Sequence, residues 1–126
     1  MLRPRITPCL LVHEGGLVKT VGFKDPKYVG DPINAVKIFN EKEADELVVL
    51  DIDATRNGVE PDYKLIQDLA AECRMPLAYG GGVRTPEQAK RIIEVALAKA
   101  REMKVKPLSV AVLDAAGHVR SLQRED

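Results

Sequence analysis

Hydrophobic positions along the chain switch repeatedly between two periods. Short apolar runs of strand length alternate with stretches in which apolar residues recur every three or four positions. Arg5 to Val12, "RITPCLLV", is the first such run. A loop with Gly15 and Gly16 follows, and "LVKTVGF" is expected to form a minor hairpin. In "GDPINAVKIFNEKEADE", Asp31 stands as N-cap and Pro32 at the first helical position, with Ile33, Val36, Ile38 and Phe39 as the apolar stripe. "ELVVLDID" reads as a parallel strand buried on both faces and ending in Asp51 and Asp53. After the loop "ATRNGVE", a second helix is expected from Pro61 to about Cys73, with Tyr63, Leu65, Ile66 and Leu69 inward. "MPLAY" is the third strand, and Gly80, Gly81 and Gly82 follow it directly.

The third helix carries the clearest signals. Thr85, Pro86 and Gln88 supply an N-cap, a first-position proline and a capping-box partner. Ala89, Ile92, Ile93, Ala96, Leu97, Ala100 and Met103 then fall on one face, so the helix is expected from Pro86 to about Met103. Pro107 bars its continuation. Leu108 to Leu113 reads as a fourth strand, Asp114 to Gly117 as a turn, and a last strand starts at His118.

The fold expected is therefore α/β in the order βαβαβαββ. Four parallel strands would form half of a (βα)8 barrel or a flavodoxin-like open sheet, with the last strand hairpinned beside the fourth. At 126 residues a single domain is expected. A half-barrel leaves sheet edges unpaired, so a homodimer or higher oligomer through those edges is expected as well.

Composition narrows the function classes. Nineteen basic residues balance nineteen acidic ones, giving a formal net charge of zero and no broad field for nucleic acid or anionic lipid. No apolar run approaches the roughly 18 residues of a membrane span, and the N-terminal run is too short for a signal peptide, so a cytoplasmic location is expected. Cys9 and Cys73 lack C-x-x-C pairing and read as reduced core or boundary thiols. Neither a metal nor a cofactor is expected.

The triple glycine, between a strand end and a capped helix start, is the leading candidate for anion binding. Gly80, Gly81, Gly82, Arg84 and Thr85 would seat a phosphate or phosphosugar on exposed backbone N–H groups; the competing reading is a tight turn that needs positive φ.

The motifs "PRITPCLLV", "GDPINAV", "DELVVLDIDA" and "PLAYGGGVRT" resemble the N-terminal part of the cyclase subunit of imidazole glycerol phosphate synthase, over Met1 to about Lys90. They look most like the cyclase paralogues found with surface-sugar biosynthesis genes. The resemblance implies a (βα)8 barrel of about 250 residues, a lyase reaction run with a glutaminase partner that delivers ammonia, and a phosphate site at the glycine loop. It also implies two catalytic aspartates, the first at position 11, where this chain has Leu11. An alkyl group transfers no proton, so no catalytic residue is assigned. Lys19 and Asp51 match positions near that family's active site, and Arg5 and Glu46 match its charged ammonia gate; read from the residues alone, the first two are solvated surface groups and the second two an exposed salt bridge.

Residues 96–126, with the DAAGH turn after an apolar strand, are similar instead to the opening helix and hairpin of a small haem-degrading-type family of glycolate operons. His118 is the one candidate ligand there, and a surface histidine is the expected reading. The chain thus looks like a chimera, natural or engineered, joined between Lys90 and Ala96 in helical phase: a scaffold without native catalysis that keeps weak phosphate binding. The alternative is a cyclase-like lyase subunit.

Overall fold

The computed structural model describes residues 3–22, 24–102, 109–113 and 119–124. They fall into two compact units, one formed by Met1–Pro61 with Glu72–Gly82, the other by Asp62–Ala71 with Val83–Asp126.

The first unit is built on a five-stranded sheet. Its strands are β1 (Cys9–His13), β2 (Gly16–Val21), β3 (Lys24–Gly30), β4 (Leu47–Asp51) and β5 (Leu77–Gly80), with α1 (Pro32–Glu41) and a short α2 (Ala54–Asn57) between them. The order is β3-β2-β1-β4-β5. β1, β4 and β5 run parallel, whereas β1, β2 and β3 form an antiparallel meander. The pleat sorts the residues: Val12, Leu47 and Val49 are fully buried, as is Val36 of α1. Leu11, Val48 and Leu50 share the opposite face and are half-buried. The two faces of β4 therefore differ, where the continuous apolar run predicted equal burial.

Asp31 caps α1 as expected, its Oδ1 accepting from the Ile33 N–H at 2.9 Å, with Pro32 behind it. Ile38 departs from the predicted stripe and is 53% exposed. It lies two positions from buried Val36, about 200° around the helix, so it cannot share that face. The Asn40 side chain fastens the end of α1 to the segment before β5: its Nδ2 donates to Glu72 O at 2.7 Å and its Oδ1 accepts from the Arg74 N–H at 3.1 Å.

The second unit contains α3 (Tyr63–Glu72, all but its last residue), α4 (Pro86–Glu102), β6 (Ser109–Leu113) and β7 (Val119–Arg124). α3 starts two residues after Pro61, because Asp62 is the cap: its carboxylate accepts from the Leu65 N–H at 3.0 Å. Ile66 and Leu69 are its buried residues. α4 has the predicted capping box. Thr85 Oγ1 accepts from the Gln88 N–H, and Gln88 Oε1 accepts from the Thr85 N–H, each at 3.2 Å. Its apolar stripe buries Ile93, Ala96 and Leu97. Arg91 lies over the Tyr63 ring, 4.7 Å from its centre.

The α/β class holds, with three corrections. Three strands of the main sheet are parallel, not four; β6 pairs antiparallel with β7 in a two-stranded sheet of its own. The expected minor hairpin is a three-stranded meander, and the loop "ATRNGVE" contains α2. The expected turn over Asp114 to Gly117, with Leu108 and His118, lies outside the described residues.

Candidate functional site

Polar groups of the first unit collect at the C-terminal ends of β1 and β4. The parallel register places Val12 opposite Asp51, so the chain leaves both strands side by side. After β1, Glu14 and Gly15 turn back to β2 with φ of 50° and 80°, the two positive values that a two-residue hairpin turn of the primed type needs. After β4, Asp51 Oδ1 accepts from the N–H groups of Asp53 (2.9 Å) and Ala54 (3.1 Å), which folds the chain into α2 and directs Asp53 back across the strand ends. There Asp53 meets His13: His13 Nδ1 lies 2.9 Å from Oδ1 and 2.8 Å from Oδ2. Asp53 Oδ2 also accepts from the Glu14 N–H at 3.0 Å.

The two groups shift in opposite directions. The hydrogen bond to Asp53 raises His13 above its ordinary 6.5, against burial and the charge of Arg56; the charges of Asp53 and Glu14 act in the same upward sense. Burial alone would lift the Asp53 carboxyl. The bonds from His13 and the Glu14 N–H, with the charges of His13 and Arg56, bring it below its ordinary 3.8. An open cavity of about 570 Å³ adjoins the pair, lined by His13, Glu14, Gly16, Tyr28, Asp31 and Pro32 among others. Gly16 lets the Tyr28 ring rest on its backbone; a Cβ there would stand 2.7 Å from a ring carbon.

The triple glycine has strong packing reasons of its own. Gly81 has φ +121° and would put a Cβ 2.5 Å from Asp51 O; Gly82 has φ +79° and would put one 2.9 Å from both Ala54 Cβ and Val59 O. The Gly82 N–H donates to Thr55 Oγ1 at 3.2 Å. In the second unit, Gln88 Oε1 takes the N–H groups of Arg84 (2.7 Å) and Thr85 (3.2 Å), so the donors expected to face an anion already have an acceptor.

The other predicted residues take these places. Lys19 is exposed within β2 and stands opposite Lys27 of β3. The half-buried Asp51 carboxylate is the local cap just described. Leu11 is half-buried beside Leu50. Arg5 and Glu46 form the expected exposed salt bridge, Nη2 to Oε1 at 2.7 Å, just before β1 and β4, and Thr7 Oγ1 adds a bond to the same carboxylate at 3.3 Å. Cys9 is exposed rather than core; Cys73 is half-buried, its thiol raised by burial and donating to Met75 O. Among the described residues no group of three or more His, Cys, Asp and Glu could hold a metal ion, and no helix is long and apolar enough to cross a membrane. The bond to Asp53 joins His13 to a residue 40 positions away in the chain.

Parallel strands joined through helices, with polar groups gathered at their C-terminal ends, define an α/β protein of the strand-then-helix type, in which sites form at those ends. Residues 5–116 match the family described as histidine biosynthesis protein, and the chain belongs to that family. Over 99 residues it is 67% identical to a putative imidazole glycerol phosphate synthase subunit, hisF3, of Vibrio vulnificus (strain YJ016), covering 79% of this chain and 38% of that protein. It is 64% identical over the same length to a putative subunit HisF of Leptospira interrogans (79% and 39%) and 60% identical to a putative subunit hisF2 of Pseudomonas aeruginosa (79% and 39%). The chain thus spans about two fifths of the length of these relatives. The mixed sheet is consistent with part of a (βα) barrel of this family. The family match runs past the expected joint between Lys90 and Ala96.

Proposed function

We propose that the chain is the substrate-binding portion of a cyclase-like lyase subunit of the imidazole glycerol phosphate synthase type, serving histidine or surface-sugar biosynthesis with a glutaminase partner. The observation that carries this reading is the set of strand ends in the first unit: His13, Asp51, Asp53 and the Gly80–Gly82 loop all lie at or just past the C-terminal ends of parallel strands. Identities of 60–67% to proteins named as putative subunits of that synthase support it. Leu11, half-buried at the position of the family's first catalytic acid, confines the contribution of that position to shape. The Arg5–Glu46 pair lies at the opposite, N-terminal ends of β1 and β4, where the ammonia-delivering partner would dock.

Phosphate or phosphosugar binding by the glycine loop is part of this reading, and it is weak. An anion at Arg84 and Thr85 has to displace Gln88 Oε1, and one at Gly82 has to displace Thr55 Oγ1. Inorganic phosphate and ribose 5-phosphate, titrated separately, should move the NMR amide signals of Gly81, Gly82 and Arg84 at millimolar concentration. Signals that stay fixed refute the phosphate seat. Turnover of the cyclase substrate with ammonia should stay at background; activity that Asp51→Asn abolishes would overturn the assignment of no catalytic residue.

A second reading concerns origin and assembly. The matches to the relatives cover 99 of 126 residues, and the family match through residue 116 weighs against a chimeric, catalytically silent scaffold. β5, a terminal strand in the hydrogen-bonding order, favours self-association through sheet edges. Light scattering at micromolar concentration tests this, and a monomer that melts cooperatively refutes it.

A further inference from the structure

Leu11 and His13 lie two residues apart on one strand, and therefore on the same face of β1, about 6.6 Å from each other along it. The group able to move a proton has not vanished from that face. It stands one pleat nearer the strand end, and it has Asp53 as a hydrogen-bond partner. Asp53, only 15% exposed, accepts from Nδ1–H and so fixes the tautomer, leaving Nε2 as the basic atom. His13 also lines the cavity, whereas Asp53 stands behind it. Nε2 is 3.8 Å from the exposed Glu14 carboxylate, beyond hydrogen-bond reach.

We propose that His13, oriented by Asp53, is a proton-transfer group for a polyhydroxylated carbonyl compound held in the cavity beside Tyr28. The lining selects this class: the carboxylates of Glu14 and Asp31 disfavour an anion and accept from hydroxyl groups, and the Tyr28 ring, 73% exposed, offers an apolar platform. In the step, the C–H proton beside the carbonyl passes to Nε2. The electron pair of that bond forms a C=C bond while the carbonyl π pair moves to oxygen, giving an enolate. The imidazolium, held by Asp53, then returns a proton to carbon and the carbonyl re-forms. The charged groups that act on the ring are Asp53, Glu14 and Arg56, and Asp31 also lines the cavity; the Asp53 and Glu14 carboxylates favour the protonated ring and Arg56 opposes it.

The inference rests on the lyase-type reading, but its probe carries no phosphate, so the two fail separately. D-ribulose in D₂O should incorporate deuterium beside its carbonyl in the presence of the full chain. His13→Gln should lower that rate by on the order of 10²–10⁴-fold. Asp53→Asn should retain part of the rate and move its pH inflection downward, a change that a merely structural aspartate would not produce. Exchange that is absent, or equal in the wild type and His13→Gln, overturns the proposal; an unmoved inflection in Asp53→Asn removes Asp53 from it. Whether or not His13→Gln folds, the Cε1–H signal of His13 in the wild-type chain should shift when D-ribulose is added, and a fixed signal is equally fatal.

Discussion

Alanine placed in turn at Gly80, Gly81 and Gly82 separates a loop shaped by packing from one shaped by a ligand. At Gly80, φ is not positive and the new Cβ would meet only the end of the Leu50 side chain at 3.0 Å, which can rotate away. At Gly81 the backbone lies at φ +121° and the Cβ would stand 2.5 Å from a carbonyl oxygen, which cannot. Gly82 combines φ +79° with three contacts between 2.9 and 3.2 Å, two of them to backbone atoms. Forcing an L-residue into the left-handed region costs about 1–2 kcal/mol, and overpacking a close contact costs about 1–3 kcal/mol more. Gly81→Ala and Gly82→Ala should each lose about 2–5 kcal/mol, a large share of the roughly 5–15 kcal/mol that stabilises an ordinary domain. Gly80→Ala should lose less than about 1 kcal/mol. With a urea slope of about 1–3 kcal/mol per molar, the costly substitutions lower the midpoint by about 0.7–5 M. Urea titrations followed at the amides of β1 and β4 report on the unit concerned. Gly81→Ala within about 0.5 kcal/mol of wild type, or Gly80→Ala as damaging as Gly81→Ala, refutes the packing account.

Three further outcomes are expected. The His13–Asp53 pair makes stability pH-dependent: the raised histidine contributes fully below 6.5 and loses its contribution as pH rises through its folded value, while the lowered aspartate contributes above 3.8 and loses its contribution as pH falls through its own. Wild type should therefore exceed Asp53→Asn by most between these limits, and urea midpoints across pH 3 to 8 that run parallel for the two proteins contradict it. A double-mutant cycle on Arg5 and Glu46 should give a coupling below about 1 kcal/mol that fades in salt, because both side chains are exposed. Asn40→Ala should cost about 1–3 kcal/mol by unfolding titration, since it strands the Glu72 carbonyl and the Arg74 N–H together.

The sequence was most legible where a local hydrogen bond decides the outcome. Asp31 and Thr85 announce α1 and α4 because a cap acts within three residues. Asp62 escaped notice beside Pro61, the louder signal. β3 escaped for a different reason: six of its seven residues are exposed, so no apolar alternation marks it, and Pro26 and the charges around it read as loop. The meander could not be right without it, whereas the count of parallel strands failed because β6 pairs with β7 in a sheet of its own. His13 and Asp53 were individually visible but 40 positions apart, and only the parallel register of β1 with β4 makes them neighbours. A histidine at the end of one predicted strand and a second aspartate past the end of another was the available hint. The glycine loop misled in the opposite direction, since a phosphate seat and a crowded crossing of two chain segments both require residues without a Cβ.

The register of β1 also sets an order in time. Its bonds to β2 close across two residues, a hairpin that forms in about 1–10 μs, but its bonds to β4 join Cys9 to Val48, with a helix and two strands between them. Loop-closure entropy delays the second event relative to the first. During synthesis the meander is available as soon as Gly30 has emerged, and it waits with one flank of β1 unpaired until Asp51 follows. The proton-transfer pair therefore waits for the second event: His13 takes its place early, and Asp53 arrives only when β4 pairs with β1, before β5 closes the sheet.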